Sequence, residues 1–441
     1  MKNLDALKQK ILEHNAVIGV IGLGYVGLPV ACSFAKSGFK VIGLEIKQDR
    51  TDKINNGENP IEGVEPGLSE LLQDVVSSGH LKATTDYDLL RLADIVLIDV
   101  ETPVDEKNMP QYVALRSACR SLAKVMKDGI LVIVESTIAP GTIDRVVQPL
   151  LEECSGKKSN EGFYLGACPE RVMPGKLLAN LRKMSRVCGG STPEVAGVMV
   201  ALYRNIVEAD LDTSDPVTAE LTKTAENAYR DVNIAFANEL AMICESAGAD
   251  FMRVRELVNK SPGRNVLLAG AGVGGHCIPK DPWLLIYGAQ GKVPMRLIPS
   301  ARAVNDNMPN HVADLLVDAL AEAGKTLKDA HIAVLGFAYL EDSDDTRNSP
   351  SEILVKHLKH QGAEIVIHDP YVLEYQTDVM TSITGCDAVV VMVAHQVYRS
   401  IRLDDLKSRL RSPVLVDGRR VFEAHKARTV GLIYRGIGQG Q

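Results

Sequence analysis

Two hydrophobic rhythms divide the chain. Over roughly its first half, short and almost wholly apolar runs rich in β-branched residues recur at 16–21, 41–44, 95–98 and 130–134, separated by amphipathic stretches. Runs that are apolar at every position predict strands buried on both faces, as in a parallel sheet whose crossover helices cover it. From about Thr218 to Val258 the pattern changes to one long helical period with few glycines and no proline, which predicts a connector helix that also serves as a dimer core. Strand and helix alternation then restarts, with strands expected at 332–335, 364–367, 388–392 and 414–416. The polar, turn-rich stretch 341–350 between a strand and a helix is expected to be a surface loop at a ligand-binding sheet edge.

Length and charge narrow the class. With 441 residues the chain exceeds one ordinary core, so two or three domains are expected. It is 46% hydrophobic and 24% charged, no apolar run reaches membrane-spanning length, and the first ten residues carry charges of both signs rather than a signal peptide. A cytoplasmic enzyme without a membrane partner is the expectation. Lys plus Arg 49 against Asp plus Glu 56 leaves a formal charge of −7, which argues against a nucleic-acid partner. An anionic ligand must then be held by local arginines. The eight cysteines, at 32, 119, 154, 168, 188, 244, 277 and 386, include no CxxC pair and suggest neither a disulfide framework nor a metal site. Most should be small buried hydrophobes.

The first strand runs into Gly22-Leu-Gly-Tyr-Val-Gly-Leu-Pro29, a GxGxxG that opens a helix. Its glycines allow a tight turn, close approach of a pyrophosphate to backbone, and tight helix packing. Glu45 stands 18 residues after Gly27 at the end of the second strand, near the spacing of a ribose-binding acid. It would repel a 2′-phosphate, so NAD is expected rather than NADP. Thr102, Ser136 and Thr137 fall in loops at later strand ends. Each is read either as a helix N-cap or as a cofactor contact, with position favouring the cofactor.

In the second half, Lys223 and Asn227 are four apart on the helical stretch and project from one face, where a solvated lysine is the plainer reading. Cys277 follows four glycines in the six residues from Gly270 to Gly275 and stands beside His276, Lys280 and Asp281. A neighbouring ammonium would raise the thiolate fraction and make Cys277 a nucleophile; a buried structural cysteine is the alternative.

Taken in order, Gly22–Pro29, Glu135-Ser-Thr137 with Pro140-Gly-Thr142, Cys168-Pro-Glu-Arg-Val-Met-Pro-Gly175, Lys223 to Asn227, Gly274-Gly-His-Cys277 and Asp344-Asp-Thr-Arg-Asn-Ser-Pro350 resemble the UDP-sugar 6-dehydrogenase family along essentially the whole chain. Pro169-Glu-Arg-Val172 and Gly274-Gly-His-Cys277 are most similar to its UDP-N-acetylmannosamine branch. The resemblance implies an α/β chain with two Rossmann-like doubly wound domains, an NAD-binding one at 1–205 and a UDP-sugar-binding one at 316–441. A long central helix and a helical dimerisation and catalytic region at 206–315 would join them.

The implied reaction is a four-electron oxidation at sugar C6 by NAD, through a thiohemiacetal and a thioester on Cys277. Lys223 would act as general base with Asp281 orienting a water or the lysine itself, Asn227 and Lys223 would stabilise the oxyanion, and Glu170 with Thr137 would activate the hydrolytic water; a surface ion pair with Arg171 is the plainer reading of Glu170. NAD would contact Gly22, Gly24, Tyr25, Val26, Gly27, Glu45, Arg50, Thr102, Ser136, Thr137 and Arg347. The UDP-sugar would contact Glu170, Arg171, Val172, Lys223, Asn227, Arg264, Gly274, Arg419 and Arg420, with Arg264 reaching across the interface of a homodimer.

The chain departs from the family pattern at Leu340, where a lysine is common, at Glu101 for proline, at Glu45 for aspartate, and at Lys280, a charge many relatives lack. Rival readings are the same oxidation of UDP-N-acetylglucosamine, a two-electron hydroxyacid dehydrogenase, and a UDP-sugar-binding pseudoenzyme.

Overall fold

The computed structural model describes residues 2–61, 63, 65–172 and 175–440. Met173 and Pro174 of the Cys168–Gly175 motif lie outside the described residues. Two compact units are formed, one from residues 1–226 with 283–293 and the other from 227–282 with 294–441.

The first unit holds eight strands: β1 (Val17–Ile21), β2 (Lys40–Leu44), β3 (Leu81–Thr84), β4 (Ile95–Ile98), β5 (Ile130–Val134), β6 (Phe163–Ala167), β7 (Arg186–Gly190) and β8 (Leu211–Ser214). They lie in the order β3-β2-β1-β4-β5-β6-β7-β8, parallel throughout except where β6 meets β7. Successive residues feed two different cores: Ile18, Val20, Ile95, Leu97, Leu131 and Ile133 enter one, while Ile21, Val96, Ile98, Ile130, Val132 and Val134 enter the other. Helices on both faces therefore demand apolar residues at every strand position, which is why these strands show no alternation. The edge strands β3 and β8 escape the sequence pattern because Leu81-Lys-Ala-Thr84 and Leu211-Asp-Thr-Ser214 are half polar.

The second unit carries β9 (His331–Leu335), β10 (Glu364–His368), β11 (Ala388–Val391), β12 (Val414–Asp417) and β13 (Ile433–Gly436), all parallel in the order β10-β9-β11-β12-β13. The strand order reverses beside β1 and β4 in the first sheet and beside β9 and β11 in the second. Those are the points where ligands bind in doubly wound sheets.

Helix α1 (Gly27–Lys36) follows β1, and α2 (Pro216–Ala247) carries the chain from the first unit into the second. The expected single helix to Val258 is interrupted: Gly248 takes φ 72° and ends α2, and the Asp250 side chain accepts from Arg253 N to cap α3 (Phe251–Asn259). A left-handed glycine followed by an Asp cap outweighs the continuing apolar period. Further on lie α4 (Asp281–Gly288), α5 (Leu297–Glu322) and α6 (Pro350–His360). In the second unit α5 is bolted to α2 through buried polar groups. Arg302 Nη1 donates to Asp231 Oδ1 at 2.5 Å, Asn305 Nδ2 to the same oxygen at 2.8 Å, and Asn238 Nδ2 to Asn305 Oδ1 at 2.9 Å. Among the described residues no helix is long and apolar enough to cross a membrane.

Candidate active site

The glycine-rich loop meets the demands of a dinucleotide site position by position. Gly22 adopts φ 95°, and a Cβ there would lie 2.4 Å from the Asp99 carbonyl oxygen, so only glycine fits. A Cβ on Gly27 would lie 1.9 Å from the Gly22 oxygen, which keeps the start of α1 tight against the loop. Gly24 differs: nothing lies within 4 Å of its would-be Cβ, so this face of the loop is open for a phosphate to reach the backbone. Glu45, at the end of β2, is buried and accepts from Lys47 N at 3.1 Å, and the Arg50 guanidinium lies 3.8 Å from it while donating to Leu23 O at 3.0 Å. Tyr25 and Val26 pack on the first core, and the Tyr25 hydroxyl donates to Glu65, whose carboxylate also accepts from Gly175 N. Neither Thr102 nor Ser136 is the N-cap of a helix among the described residues. The Thr102 hydroxyl donates to Thr137 O at 2.6 Å and that of Ser136 to Val100 O at 2.7 Å, stitching the loops after β4 and β5 together.

Beneath this loop the first unit contains a charge cluster that sequence reasoning missed. Arg186, on β7 and 1% exposed, donates to Glu135 Oε1 at 2.9 Å and is ion-paired to Glu170. The plainer reading of Glu170 as a surface partner of Arg171 is thereby corrected. Glu170 is buried against Arg186, while the Arg171 guanidinium pairs with Glu226 and donates to Ser185 O at 2.7 Å. A guanidinium sealed in an apolar interior is tolerable only with carboxylates beside it, and Glu135 and Glu170 supply them. An arginine inside the otherwise apolar β7 was the one visible hint. Val172 packs on the first core, and Lys223 is half-buried on α2, with no ion pair or hydrogen bond to its ammonium among the described residues.

In the second unit, Cys277 is exposed, whereas Cys32, Cys119, Cys168, Cys188, Cys244 and Cys386 are buried; Cys154 is the other exposed thiol. The Cys277 backbone oxygen accepts from Asp281 N at 2.8 Å and Lys280 N at 3.1 Å, which sets Cys277 at the turn that opens α4. Asp281 is fully buried; it accepts from Asn227 Nδ2 at 2.5 Å and lies 3.4 Å from the Lys280 ammonium.

The glycines ahead of Cys277 face protein. Added Cβ atoms would strike Tyr339 from Gly274 (2.5 Å) and Gly275 (2.8 Å), Pro350 from Gly272 (2.9 Å) and the Arg419 guanidinium from Gly270 (2.3 Å). The loop is thus threaded into the second sheet's ligand edge, with Asn238 Oδ1 accepting from Gly270 N at 2.9 Å and Gly275 N donating to Arg347 O at 2.9 Å. His276 is pushed down to about 4 by burial, then by the charges of Lys280 and Arg347, so at neutral pH it is uncharged. Positive potential at the thiol comes instead from Arg347, which interacts electrostatically with Cys277 while forking onto Asp345; the Lys280 ammonium lies against Asp281.

The remaining arginines are variously engaged. Arg419 donates to Met392 O at 2.9 Å and Gly272 O at 3.1 Å, tethering the Cys277 loop. Arg420, at φ 53°, donates to Asp250 at 2.7 Å and Gln439 at 3.1 Å. Arg264 is exposed and turned onto Pro262 O. Leu340 is 40% exposed.

Two doubly wound sheets, a glycine-rich loop shaped for a pyrophosphate and an exposed cysteine beside a buried Asn–Asp pair define an NAD-dependent dehydrogenase. Family models match in chain order: the NAD binding domain of the UDP-glucose/GDP-mannose dehydrogenase family at 16–207, its central domain at 217–307 and its UDP binding domain at 333–424. The chain belongs to that family and is an NAD-dependent nucleotide-sugar oxidoreductase. UDP-N-acetyl-D-mannosamine dehydrogenase of Pyrococcus horikoshii is 39% identical over 96% of this chain and 99% of its own, and a structure of that enzyme superposes with a TM-score of 0.91. The NDP-N-acetyl-D-galactosaminuronic acid dehydrogenase of Methanosarcina mazei is 36% identical, covering 100% of this chain and 98% of its own, with a TM-score of 0.89. A UDP-glucose dehydrogenase from Pyrobaculum islandicum is 28% identical over 96% and 98% of the two chains, with a TM-score of 0.85.

Proposed function

We propose that this chain oxidises UDP-N-acetyl-D-mannosamine at C6 to the uronate through a thiohemiacetal and a thioester on Cys277. The observation that carries this reading is the exposed Cys277 at the turn into α4, bonded through its backbone to the buried Asp281 that Asn227 contacts. The hexosamine substrate is supported by Pro169-Glu-Arg-Val172 and Gly274-Gly-His-Cys277 and by the identity to the Pyrococcus enzyme.

NAD, held by the Gly22–Gly27 loop, Glu45, Arg50 and the loops of Thr102, Ser136 and Thr137, supplies the hydride acceptor for both oxidations. Lys223 takes the proton of the C6 hydroxyl, with Asp281 orienting a water between them, and the sugar leaves this step as an aldehyde. The Cys277 thiolate adds to the aldehyde carbon, and Asn227 with protonated Lys223 stabilises the new oxyanion, a contribution of roughly 3 kcal/mol per donor. Loss of a second hydride leaves a thioester. Glu170, with Thr137, takes a proton from water as the water adds to the acyl carbon; the C–S bond breaks and the thiolate is regenerated. One water is consumed, and a carboxylate, two reduced cofactors and three protons are formed.

The pyrophosphate of the substrate falls to Arg264 and Arg420, with Arg171 and Val172 lining the sugar and Arg347 serving the cofactor phosphates. Arg419 acts by holding the Cys277 loop through Gly272. The enzyme works as a cytoplasmic homodimer, for which Tyr229, Phe236 and Ile243, seven residues apart on α2 and all exposed, form the self-association stripe.

A second hexosamine epimer is the competing substrate, favoured by the likeness to the Methanosarcina enzyme. Turnover with UDP-N-acetyl-D-mannosamine, its gluco and galacto epimers and UDP-glucose separates these. Two NADH per sugar are expected from the mannosamine compound, with Cys277→Ala forming no carboxylate while binding NAD normally. One NADH per sugar, or full oxidation by Cys277→Ala, would refute the thioester route.

A further inference from the structure

The loops after β4 and β5 carry two acids that the reaction above does not use. Parallel pairing sets Ile98 opposite Val134, so the next residues, Asp99 and Glu135, stand side by side at the sheet's C-terminal edge. Glu135 gives Oε1 to two donors, Arg186 Nη1 at 2.9 Å and the Tyr203 hydroxyl at 2.6 Å. Its Oε2 and both Asp99 carboxylate oxygens are sealed from solvent and take no hydrogen bond from an N–H or hydroxyl group among the described residues. The charge that acts most strongly on Asp99 is that of Glu135, with Glu170 next. With no other donor to these oxygens among the described residues, the pair can be satisfied only if one carboxyl carries a proton and donates it to the other.

The charges point the same way. Three carboxyl groups, those of Asp99, Glu135 and Glu170, surround the single guanidinium of Arg186, and the other ionisable groups facing it, Tyr203 and Cys168, are neutral when protonated. Like charges sealed together cannot all ionise. Burial and the Glu135 charge hold Asp99 well above the usual carboxylate range, whereas Arg186 opposes the rise at Glu135. Asp99 is the member that keeps the proton. Glu135 then occupies one arm of Arg186, and the other arm remains for Glu170.

We propose that Asp99 and Glu135 are a proton-sharing pair of positioning residues that, through Arg186, hold Glu170 in the orientation in which it activates the hydrolytic water. The proposal rests on the reading of Glu170 as that base. No covalent change occurs in the pair.

Infrared difference spectra of wild-type and Asp99→Asn enzyme at neutral pH test the proton. A protonated carboxyl band is expected in the wild type and not in the variant, while Glu220, pushed up to about 7 by burial, contributes equally to both and cancels. Asp99→Asn is also the conservative change for kinetics, because the new amide still donates toward Glu135 and should keep kcat within about threefold of wild type. Asp99→Leu orphans Glu135 Oε2 and should lower kcat roughly tenfold, with KM for both substrates unchanged and an acyl-thioester on Cys277 visible by intact mass. No Asp99-dependent band, an asparagine variant as slow as the leucine one, or a leucine variant as fast as wild type would each overturn the proposal. If the leucine protein does not fold, the spectra and the asparagine variant decide it. Glu170→Gln is the control: if it accumulates no acyl-enzyme, the base assignment falls, whereas the infrared band reports on the pair alone.

Discussion

Alanine at Gly24 and at Gly27 adds the same methyl group to two glycines of one loop, and the structure assigns the two changes opposite effects. At Gly27 the new Cβ would lie 1.9 Å from the Gly22 carbonyl oxygen, a backbone atom that no rotamer change can move aside. Overpacking of this kind costs about 1–3 kcal/mol or more, so Gly27→Ala should lower the unfolding temperature of the cofactor-free protein. At Gly24 nothing lies within 4 Å, and φ is not in the left-handed region, so the cofactor-free Gly24→Ala protein should unfold like wild type. Its methyl would occupy the space through which a pyrophosphate reaches the backbone. Losing charge-assisted hydrogen bonds there costs about 1.5–3 kcal/mol, or roughly ten- to a hundredfold in NAD affinity. Calorimetric titration with NAD, paired with thermal unfolding without it, measures both quantities. If Gly24→Ala bound NAD as tightly as wild type, the open face of the loop would not be the pyrophosphate site.

Other perturbations probe the second unit, the proposed assembly and the charge cluster of the first unit. The Asp369 carboxylate accepts from Phe337 N, Ala338 N, Tyr371 N and His395, which hold it down at about 2 from 3.8 despite burial. A depressed carboxylate contributes stability that is present above pH 4 and is lost as pH falls toward 2. Asp369→Asn should therefore cost about 2 kcal/mol in denaturant unfolding at pH 7 and progressively less below pH 4; a pH-independent difference would contradict this. Phe236→Glu places a charge in the exposed α2 stripe and should convert the dimer to monomer by light scattering, and an unchanged mass would remove the stripe from the interface. Arg186→Met leaves Glu135 and Glu170 buried without their counter-charge. A loss of about 3–5 kcal/mol is expected at neutral pH, shrinking in acid as the carboxyl groups protonate, and wild-type stability at pH 7 would show the cluster to be energetically idle.

Much of the fold was legible because its signals are local. Apolar runs marked β1, β2, β4 and β5 since a strand covered on both faces must be apolar throughout, and GxGxxG with Glu45 marked the nucleotide loop since its glycines answer to contacts a few residues away. The break at Gly248 was written in the sequence as well, but a long apolar period on either side concealed it. The resemblance named Glu170, Lys223, Asn227, Cys277 and Asp281 as candidates, and of these the structure joins Asn227 to Asp281 and Asp281 to the Cys277 backbone.

What the chain by itself determined, then, was where most strands and turns fall and in what order the candidate site residues follow one another. Their partners were decided by the tertiary structure. Arg186 meets Glu135 from 51 residues away, Tyr203 meets Glu135 from 68, and Arg419 meets Gly272 from 147. The glycines before Cys277 are the fit of that loop against Tyr339, Pro350 and Arg419, residues that follow it by 60 or more positions. Spacing along a chain carries no information about which distant strand becomes a neighbour. A buried charge is affordable only where folding brings its counter-charge, so its identity as a paired group exists only once the sheet has formed.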